Sequence, residues 1–288
     1  MNPVIYWYGR LIVFLIQALP LRWAARLGRA IGALAYVLDA RHRRVTRENL
    51  AIAFSAEKSG SEIDAIAKET FRRIGENNVS AIKTASMSFA ALRPHLEFAG
   101  LEYFPPVATG LKPQNAVVAI GHFGNFELYA RIGEVQPAFT VATTYRALNQ
   151  PALNRLMQDL RKRSPCEYFE RRADGHALRN LLHRGGVILG LLADQSSLGL
   201  RAPFLGRDCN TGLAPAILAM RYDAVLLTGI CYRVGLAKWR VEFSPQIPTR
   251  ADGKLRSSDE LMLEVNRRLE DAVRRDPANW FWVHRRWK

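Results

Sequence analysis

The chain has 288 residues, of which 49% are aliphatic, aromatic or cysteine, so it can bury a core of one large or two small α/β domains, and wholesale disorder is excluded. Its 41 Lys and Arg outnumber 26 Asp and Glu, which gives a net charge of +15 and indicates an anionic partner such as nucleic acid, a membrane face, a phosphorylated lipid or an acidic protein. Cys166, Cys209 and Cys231 form no CxxC pair or zinc pattern, which argues against a metal or disulfide framework and predicts reduced core residues.

Residues 1–38 are strongly apolar but interrupted. The charge-free stretch from Leu11 to Leu21 is broken by Pro20 and is shorter than the roughly 20 apolar residues of a bilayer-spanning helix. Aromatic residues 6–8 extend it enough for a shallow, tilted insertion. A cleaved signal peptide is disfavoured, because no small-residue cleavage site follows.

A basic amphipathic segment comes next. On a helix, Arg22, Arg26 and Arg29 share one face, and the opposite face carries Leu27, Ile31, Leu34 and Leu38. Such a helix is suited to lie among lipid headgroups, and the basic residues at 41–47 favour the cytoplasmic side. We therefore predict a membrane-associated helical element over residues 1–40 and one domain over 41–288. The alternative is an ordinary surface helix packed on the core.

The rest of the chain predicts an α/β sheet flanked by helices, because short apolar runs alternate with amphipathic segments after Pro105. A helix over Glu62–Lys83, with Ser61 as its N-cap, precedes them. The predicted strands are Ala116–Ile120, Phe139–Thr143, Val187–Leu192, Val225–Cys231 and an edge-like Trp239–Phe243. The predicted helices are Asn125–Ile132, Ala152–Arg163, Ala177–His183, Ala214–Tyr222 and Asp259–Arg274.

The main candidate site is the segment from Gly121 to Glu127, where a buried strand ends and a helix begins. Ligands of open α/β sheets commonly bind there. His122 and Glu127 are five residues apart, so they converge only if the chain turns at Gly124 and Asn125, which tolerate unusual backbone angles and offer an N-cap.

This pair suits the activation of an alcohol. A neutral histidine, with an ordinary pKa of about 6.5, can remove a proton from a hydroxyl near neutral pH. A carboxylate on its other ring nitrogen fixes the tautomer and stabilises the imidazolium. Free N–H groups at the start of the following helix are expected to help hold an oxyanion. The alternative is a structural His122 and a solvated Glu127.

Several blocks in a fixed order resemble the lipid A biosynthesis acyltransferases, the lauroyl and myristoyl transferases that act late on the Kdo-bearing lipid A precursor. The segment GHFGNFEL at 121–128 is similar to the signature of that family. Ser196 stands where an acidic residue is common. The other similar blocks are Asn49–Phe54, Tyr145-Arg146, Arg161–Arg163, Glu170-Arg171, Ala193–Gln195, Pro203–Gly206, Thr211-Gly212 and Trp282–Trp287.

The resemblance implies a glycerolipid-acyltransferase-like α/β fold at the cytoplasmic face of the inner membrane, with residues 41–288 as the catalytic domain. It implies an acyl donor on acyl carrier protein, or coenzyme A in some relatives, and neither a cofactor nor a metal. His122 would be the general base and Glu127 its orienting carboxylate. The implied substrate-binding residues are Asn125, Arg146, Arg161, Arg163, Asp194 and Gln195.

Alternatives remain for these roles. The arginines suit phosphate oxygens, but they also suit a solvated helix face. Asp194 is either in the cleft or a buried acid that holds Arg146 or Arg171, and residues 284–286 are expected to be structural or electrostatic. The alternative acceptor is another glycolipid or aminolipid, such as a phosphatidylinositol mannoside, acylated from acyl-coenzyme A.

Three other classes of protein are disfavoured. A nucleic-acid binder fits the charge, but the sequence contains no recognised nucleic-acid motif. A serine hydrolase would need a G-x-S-x-G elbow, which is absent. A purely structural membrane protein would not explain the polar residues at the strand ends.

Overall fold

The computed structural model describes residues 3–287, and its helices surround a mixed seven-stranded sheet. This is the predicted α/β architecture. The helices are α1 Pro3–Ala18, α2 Leu21–Leu38, α3 Ala40–Phe54, α4 Gly60–Thr84, α5 Phe89–Leu92, α6 Pro151–Arg161, α7 Gly175–His183, α8 Ala214–Arg221 and α9 Ser258–Arg275, with 3₁₀ helices at Arg93–His95, Leu101–Tyr103, Phe126–Glu134 and Pro277–Asn279.

The main sheet has the strand order β1-β9-β8-β2-β5-β3-β4, and all of its neighbours are parallel except β8 and β9. Two separate hairpins, β6–β7 and β10–β11, complete the strands. The strands are β1 Leu96–Ala99, β2 Ala116–Ile120, β3 Thr140–Tyr145, β4 Cys166–Glu170, β5 Val187–Leu192, β6 Ser196–Phe204, β7 Arg207–Thr211, β8 Val225–Gly235, β9 Lys238–Phe243, β10 Arg250–Ala251 and β11 Lys254–Leu255.

The sheet separates two hydrophobic cores. Alternate residues of β2 face opposite sides: Val117 and Ala119 pack into one core, and Val118 and Ile120 into the other. Because β2 is buried on both faces, it appears in the sequence as a continuous apolar run. The same reason explains why β5 and β8 could be predicted from composition alone.

Several predicted local features are corrected. Strand β9 was predicted to lie at the edge of the sheet, but it lies between β1 and β8. The prediction missed the short strand β1, which pairs with the outer side of β9. The edge strand β4 was also missed, since its sequence contains two glutamates and forms no continuous apolar run. Helix α4 begins after Ser59 rather than Ser61, because Glu62 lies three residues beyond Ser59 and closes a capping box with it.

The first two helices pack on the domain and also expose apolar residues. Within residues 3–287, no helix combines the length and apolar character needed to cross a bilayer. The exposed stripe of α1 includes Trp7, Leu11, Phe14 and Leu15, and that of α2 includes Trp23, Leu27, Ile31, Leu34 and Leu38. The predicted apolar face of α2 is therefore exposed.

Arg29 does not belong to the exposed basic face that was predicted for α2. Its guanidinium turns inward and pairs with Glu69 at 2.9 Å and with the fully buried Glu76 at 3.2 Å. The backbones of α2 and α4 touch, since a Cβ on Gly28 would lie 2.4 Å from the carbonyl oxygen of Gly75. A close approach of this kind requires glycine, and it holds Arg29 against α4 instead of in a headgroup layer.

Candidate active site

The site lies where the adjacent parallel strands β2 and β5 end. His122 follows β2 by two residues and Asp194 follows β5 by two, so neighbouring carboxyl ends bring the two side chains together. Gly121 leaves room for this turn, because a Cβ there would lie 2.6 Å from the Phe123 ring. Gly124 adopts φ +52° and passes close to the Cys231 carbonyl oxygen. The predicted turn at Gly124 is present.

Asp194 is the carboxylate that holds His122. Its Oδ1 lies 2.8 Å from His122 Nδ1, and its Oδ2 accepts from the His122 backbone N–H at 2.8 Å. The indole N–H of Trp280 donates to the same Oδ2 at 2.8 Å. Asp194 is fully buried, so these three hydrogen bonds fix its orientation.

Electrostatics assign the proton in this pair. Burial alone would raise the pKa of Asp194, but the charge and hydrogen bonds of His122 outweigh it and lower that pKa well below its usual range. Burial lowers the pKa of His122, but Asp194 outweighs it, so the pKa of His122 is raised above 6.5. An ionised Asp194 accepts a hydrogen bond from Nδ1–H of neutral His122, which leaves the Nε2 lone pair free to accept a proton.

The predicted pairing of Glu127 with His122 is wrong in this structure. Glu127 forms a two-point ion pair with Arg161, with Oε1 2.6 Å from Nη2 and Oε2 3.2 Å from Nε. Arg161 also lies 4.9 Å from the centre of the Tyr168 ring and 5.7 Å from that of Tyr145. The turn after Gly124 directs Glu127 toward α6, so it acts on His122 only through its charge.

A cavity of about 640 Å³ opens beside His122. Its floor is one face of β2, β5 and β3, on which Val118, Gly190 and Thr143 lie side by side. Its roof is the 3₁₀ helix Phe126–Glu134, which contributes Phe126, Tyr129, Ala130 and Ile132. His122, Glu127 and Arg161 lie at the polar end of the cavity. At the opposite end, the floor is formed by Ile188 and Val141. We call this space the sheet cavity.

The other predicted residues divide between this cavity and its surroundings. Arg146 and Gln195 line the sheet cavity, and the Gln195 amide lies 3.4 Å from His122 Nδ1. Arg163 is exposed and lines a separate depression with Arg10. Asn125 is buried at the start of the 3₁₀ helix but makes no side-chain cap. Asp194 was alternatively expected to hold Arg146 or Arg171. Its partners are instead His122 and Trp280.

Trp280 was not predicted as a site residue. The aromatic cluster at 280–287 was visible in the sequence, but no local pattern indicated that one indole reaches Asp194. Trp280 packs against Phe204 and Trp282. The C-terminal segment is structural, because fully buried Arg286 donates to the Asn210 carbonyl oxygen and to Thr211 Oγ1.

The cysteines are free and buried, as predicted. Cys166 lines the sheet cavity, but burial raises the pKa of its thiol to about 12. The reactive form of cysteine is the thiolate, which is scarce at neutral pH when the pKa is that high. Cys166 is therefore unsuited to act as a nucleophile, and a nucleophile from the substrate fits this site better.

Comparison with known proteins identifies the family. The model of the bacterial lipid A biosynthesis acyltransferases matches residues 1–288. Lipid A biosynthesis palmitoleoyltransferase from Escherichia coli K12 and a lipid A biosynthesis acyltransferase from Shigella flexneri are each 24% identical over 98% of this chain and 90% of their own. The crystal structure of the 1-acyl-sn-glycerophosphate acyltransferase PlsC from Thermotoga maritima aligns with 86% of this chain and 98% of its own, at 14% identity and a TM-score of 0.39.

The full-length family match agrees with the order of motifs along the chain. The protein belongs to the bacterial lipid A biosynthesis acyltransferases and is an enzyme that transfers acyl groups to lipid.

Proposed function

We propose that the protein transfers a fatty acyl chain from an acyl carrier protein thioester to a hydroxyl group of a Kdo-bearing lipid A precursor. His122 is the general base, and Asp194, rather than Glu127, orients it. The observation that carries the proposal is the 2.8 Å contact between His122 Nδ1 and a fully buried Asp194 at the mouth of the sheet cavity. The donor thioester needs no cofactor.

The arrangement supports direct transfer. Nε2 of His122 accepts the proton of the acceptor hydroxyl while that oxygen bonds to the thioester carbonyl carbon. Asp194 stabilises the imidazolium that forms. The tetrahedral intermediate then expels the thiolate, which takes the proton from His122 Nε2. The Gly124 N–H does not serve the oxyanion, because it donates to the Asn279 carbonyl oxygen.

The sheet cavity suits the acyl chain of the donor. Its inner walls are apolar, and a chain threaded along β2 and β5 would cross four residue steps, or about 13 Å, from the level of Ile120 to that of Ile188. Arg146, at the polar end, is placed for the phosphate group of the donor arm or the acceptor.

The exposed apolar stripes of α1 and α2 support attachment to a membrane surface, and we propose that this surface is the cytoplasmic face of the inner membrane. Scattered exposed apolar residues are ordinary, but an exposed apolar stripe on each of two consecutive helices is typical of an interaction surface. Interfacial helices bind by placing such a stripe in the acyl boundary.

A transfer assay tests the proposed function. Purified protein in detergent, given acyl-acyl carrier protein and a Kdo-bearing lipid A precursor, should add one acyl group to the lipid and release one free thiol. Mass spectrometry of the lipid and thiol titration measure both products. If the protein instead acylates phosphatidylinositol mannoside from acyl-coenzyme A and gives no product on the lipid A precursor, the lipid A precursor is not its acceptor and the alternative acceptor is correct.

Vesicle sedimentation tests the membrane surface. Replacing Trp7, Phe14 and Leu15 by Gln should weaken binding to phosphatidylglycerol-containing vesicles by at least about tenfold, because each side chain loses apolar burial. The matched control replaces three exposed apolar residues elsewhere, Ile217, Val234 and Leu255, by Gln. If both variants lose vesicle binding equally, or if neither variant loses it, the membrane contact lies elsewhere.

A further inference from the structure

A second apolar cavity lies next to the site. It has a volume of about 460 Å³ and is enclosed by α1, α4, α6 and the 3₁₀ helix Phe126–Glu134. We call it the helix cavity. Most of its lining is apolar, and that lining includes Val13, Ala81, Ile82, Leu128, Leu153, Leu156, Met157 and Leu160.

The helix cavity and the sheet cavity meet at the Glu127–Arg161 ion pair. Both of these side chains line both spaces. Four more residues are shared: Phe126, Leu148, Met157 and Tyr168. The common wall lies next to the base, because the ring centroid of Phe126 is 5.0 Å from that of His122, which itself lines the sheet cavity.

The helix cavity is bordered by α1, the helix whose outer face we assign to the membrane surface. Val13 of α1 is buried and faces the cavity, whereas the next two residues, Phe14 and Leu15, are more than half exposed. A single helix therefore forms the wall of the cavity on one side and part of the apolar stripe on the other. The cavity therefore lies directly behind the apolar stripe, separated from the proposed membrane surface by one helix.

One buried polar atom also indicates a ligand here. Asn125 lines the helix cavity and is only 2% exposed, and its side-chain oxygen has no hydrogen-bond partner within residues 3–287. Its amide group is 3.5 Å from Thr84 Oγ1, at the limit of a hydrogen bond. A buried acceptor without a donor costs free energy, and a polar hydrogen of the acceptor lipid next to its acyl chain, other than that of the reacting hydroxyl, would supply the missing donor.

The reaction needs two alkyl chains near one histidine, and the sheet cavity accommodates the one that is transferred. We propose that the helix cavity binds an acyl chain of the acceptor lipid, so that the donor and acceptor chains lie on opposite sides of the Glu127–Arg161 ion pair. This inference rests on the proposed transfer to a lipid hydroxyl. It assigns the two substrates to two different spaces.

The test narrows the helix cavity without touching the sheet cavity. Ala81 lines only the former, so Ala81→Leu adds a side chain to empty apolar space. We expect the KM for the Kdo-bearing lipid A precursor to rise about tenfold, since each methylene excluded from an apolar cavity weakens binding about fourfold. The chain-length preference for the donor should not change. Ala85→Leu, at the residue that follows the last residue of α4, is a second variant with the same expectation.

Gly190→Val is the matched control, because it narrows only the sheet cavity. A Cβ on Gly190 would lie 3.4 Å from Ile120 Cδ1, an ordinary contact, so the strand can accept it. This variant should shift the donor preference toward shorter acyl chains and leave the acceptor KM unchanged. Unaltered thermal unfolding midpoints would establish that the three variants are folded.

The outcomes separate this inference from the proposed function. If wild-type protein acylates the lipid A precursor but Ala81→Leu and Ala85→Leu leave the acceptor KM unchanged, or shift the donor length instead, the helix cavity does not hold the acceptor chain. If wild-type protein does not acylate that lipid, the proposed function fails first. A rise in acceptor KM confined to the two alanine variants supports the assignment.

Discussion

His122→Ala should lower kcat for acyl transfer by a factor on the order of 10² to 10⁴, the usual contribution of a positioned general base. Glu127 and Cys166, which also line the sheet cavity, do not replace it, because Glu127 is held by Arg161 and burial raises the pKa of the Cys166 thiol to about 12. The KM values should change little, because the imidazole acts on the transferred proton. Initial rates with acyl-acyl carrier protein and the lipid A precursor measure the effect.

The matched control is His176→Ala, which removes an exposed histidine on α7. It should retain wild-type rates, and both variants should sediment with vesicles like the wild-type protein. Near wild-type turnover of folded His122→Ala would remove the histidine from the mechanism.

Asp194→Asn should also lower kcat by about 10² to 10⁴, because a neutral amide no longer stabilises the imidazolium or selects the Nδ1–H tautomer. The variant should also change the pH profile. The wild-type rate should fall as the pH drops through the raised pKa of His122, since protonation blocks the base. Without the Asp194 charge, burial lowers that pKa, so the acid limb should move to lower pH.

Glu127→Gln distinguishes the two candidate carboxylates. It breaks the ion pair with Arg161 but leaves the hydrogen bond between His122 and Asp194 in place. The acid limb should therefore move less than in Asp194→Asn, since Glu127 raises the pKa of His122 only as the smallest contribution. A larger shift in Glu127→Gln would return the orienting role to Glu127. Trp280→Phe removes one hydrogen-bond donor to Asp194. It should lower kcat less than Asp194→Asn or Glu127→Gln does.

The local features of this site follow from the sequence. β2 and β5 could be predicted because strands buried on both faces leave continuous apolar runs, and Gly124 indicated a sharp turn because only glycine adopts positive φ at little cost. Those two features place His122 at a strand end. The exposed stripe of α2 was predictable for a similar reason, since helical periodicity separates Leu27 and Ile31 from the arginines.

The choice of partner for His122 depended on tertiary structure. The sequence predicted Glu127 as the partner on the condition that the chain turns between the two residues. Asp194 lies 72 residues farther along the chain than His122 and reaches it only because β2 and β5 are neighbours in the sheet. Arg161 on α6 then holds Glu127 away, and Trp280 from the C-terminal segment holds Asp194. Strand order and helix packing are set by the burial of the whole core, so no local pattern in the sequence could determine which carboxylate meets the imidazole.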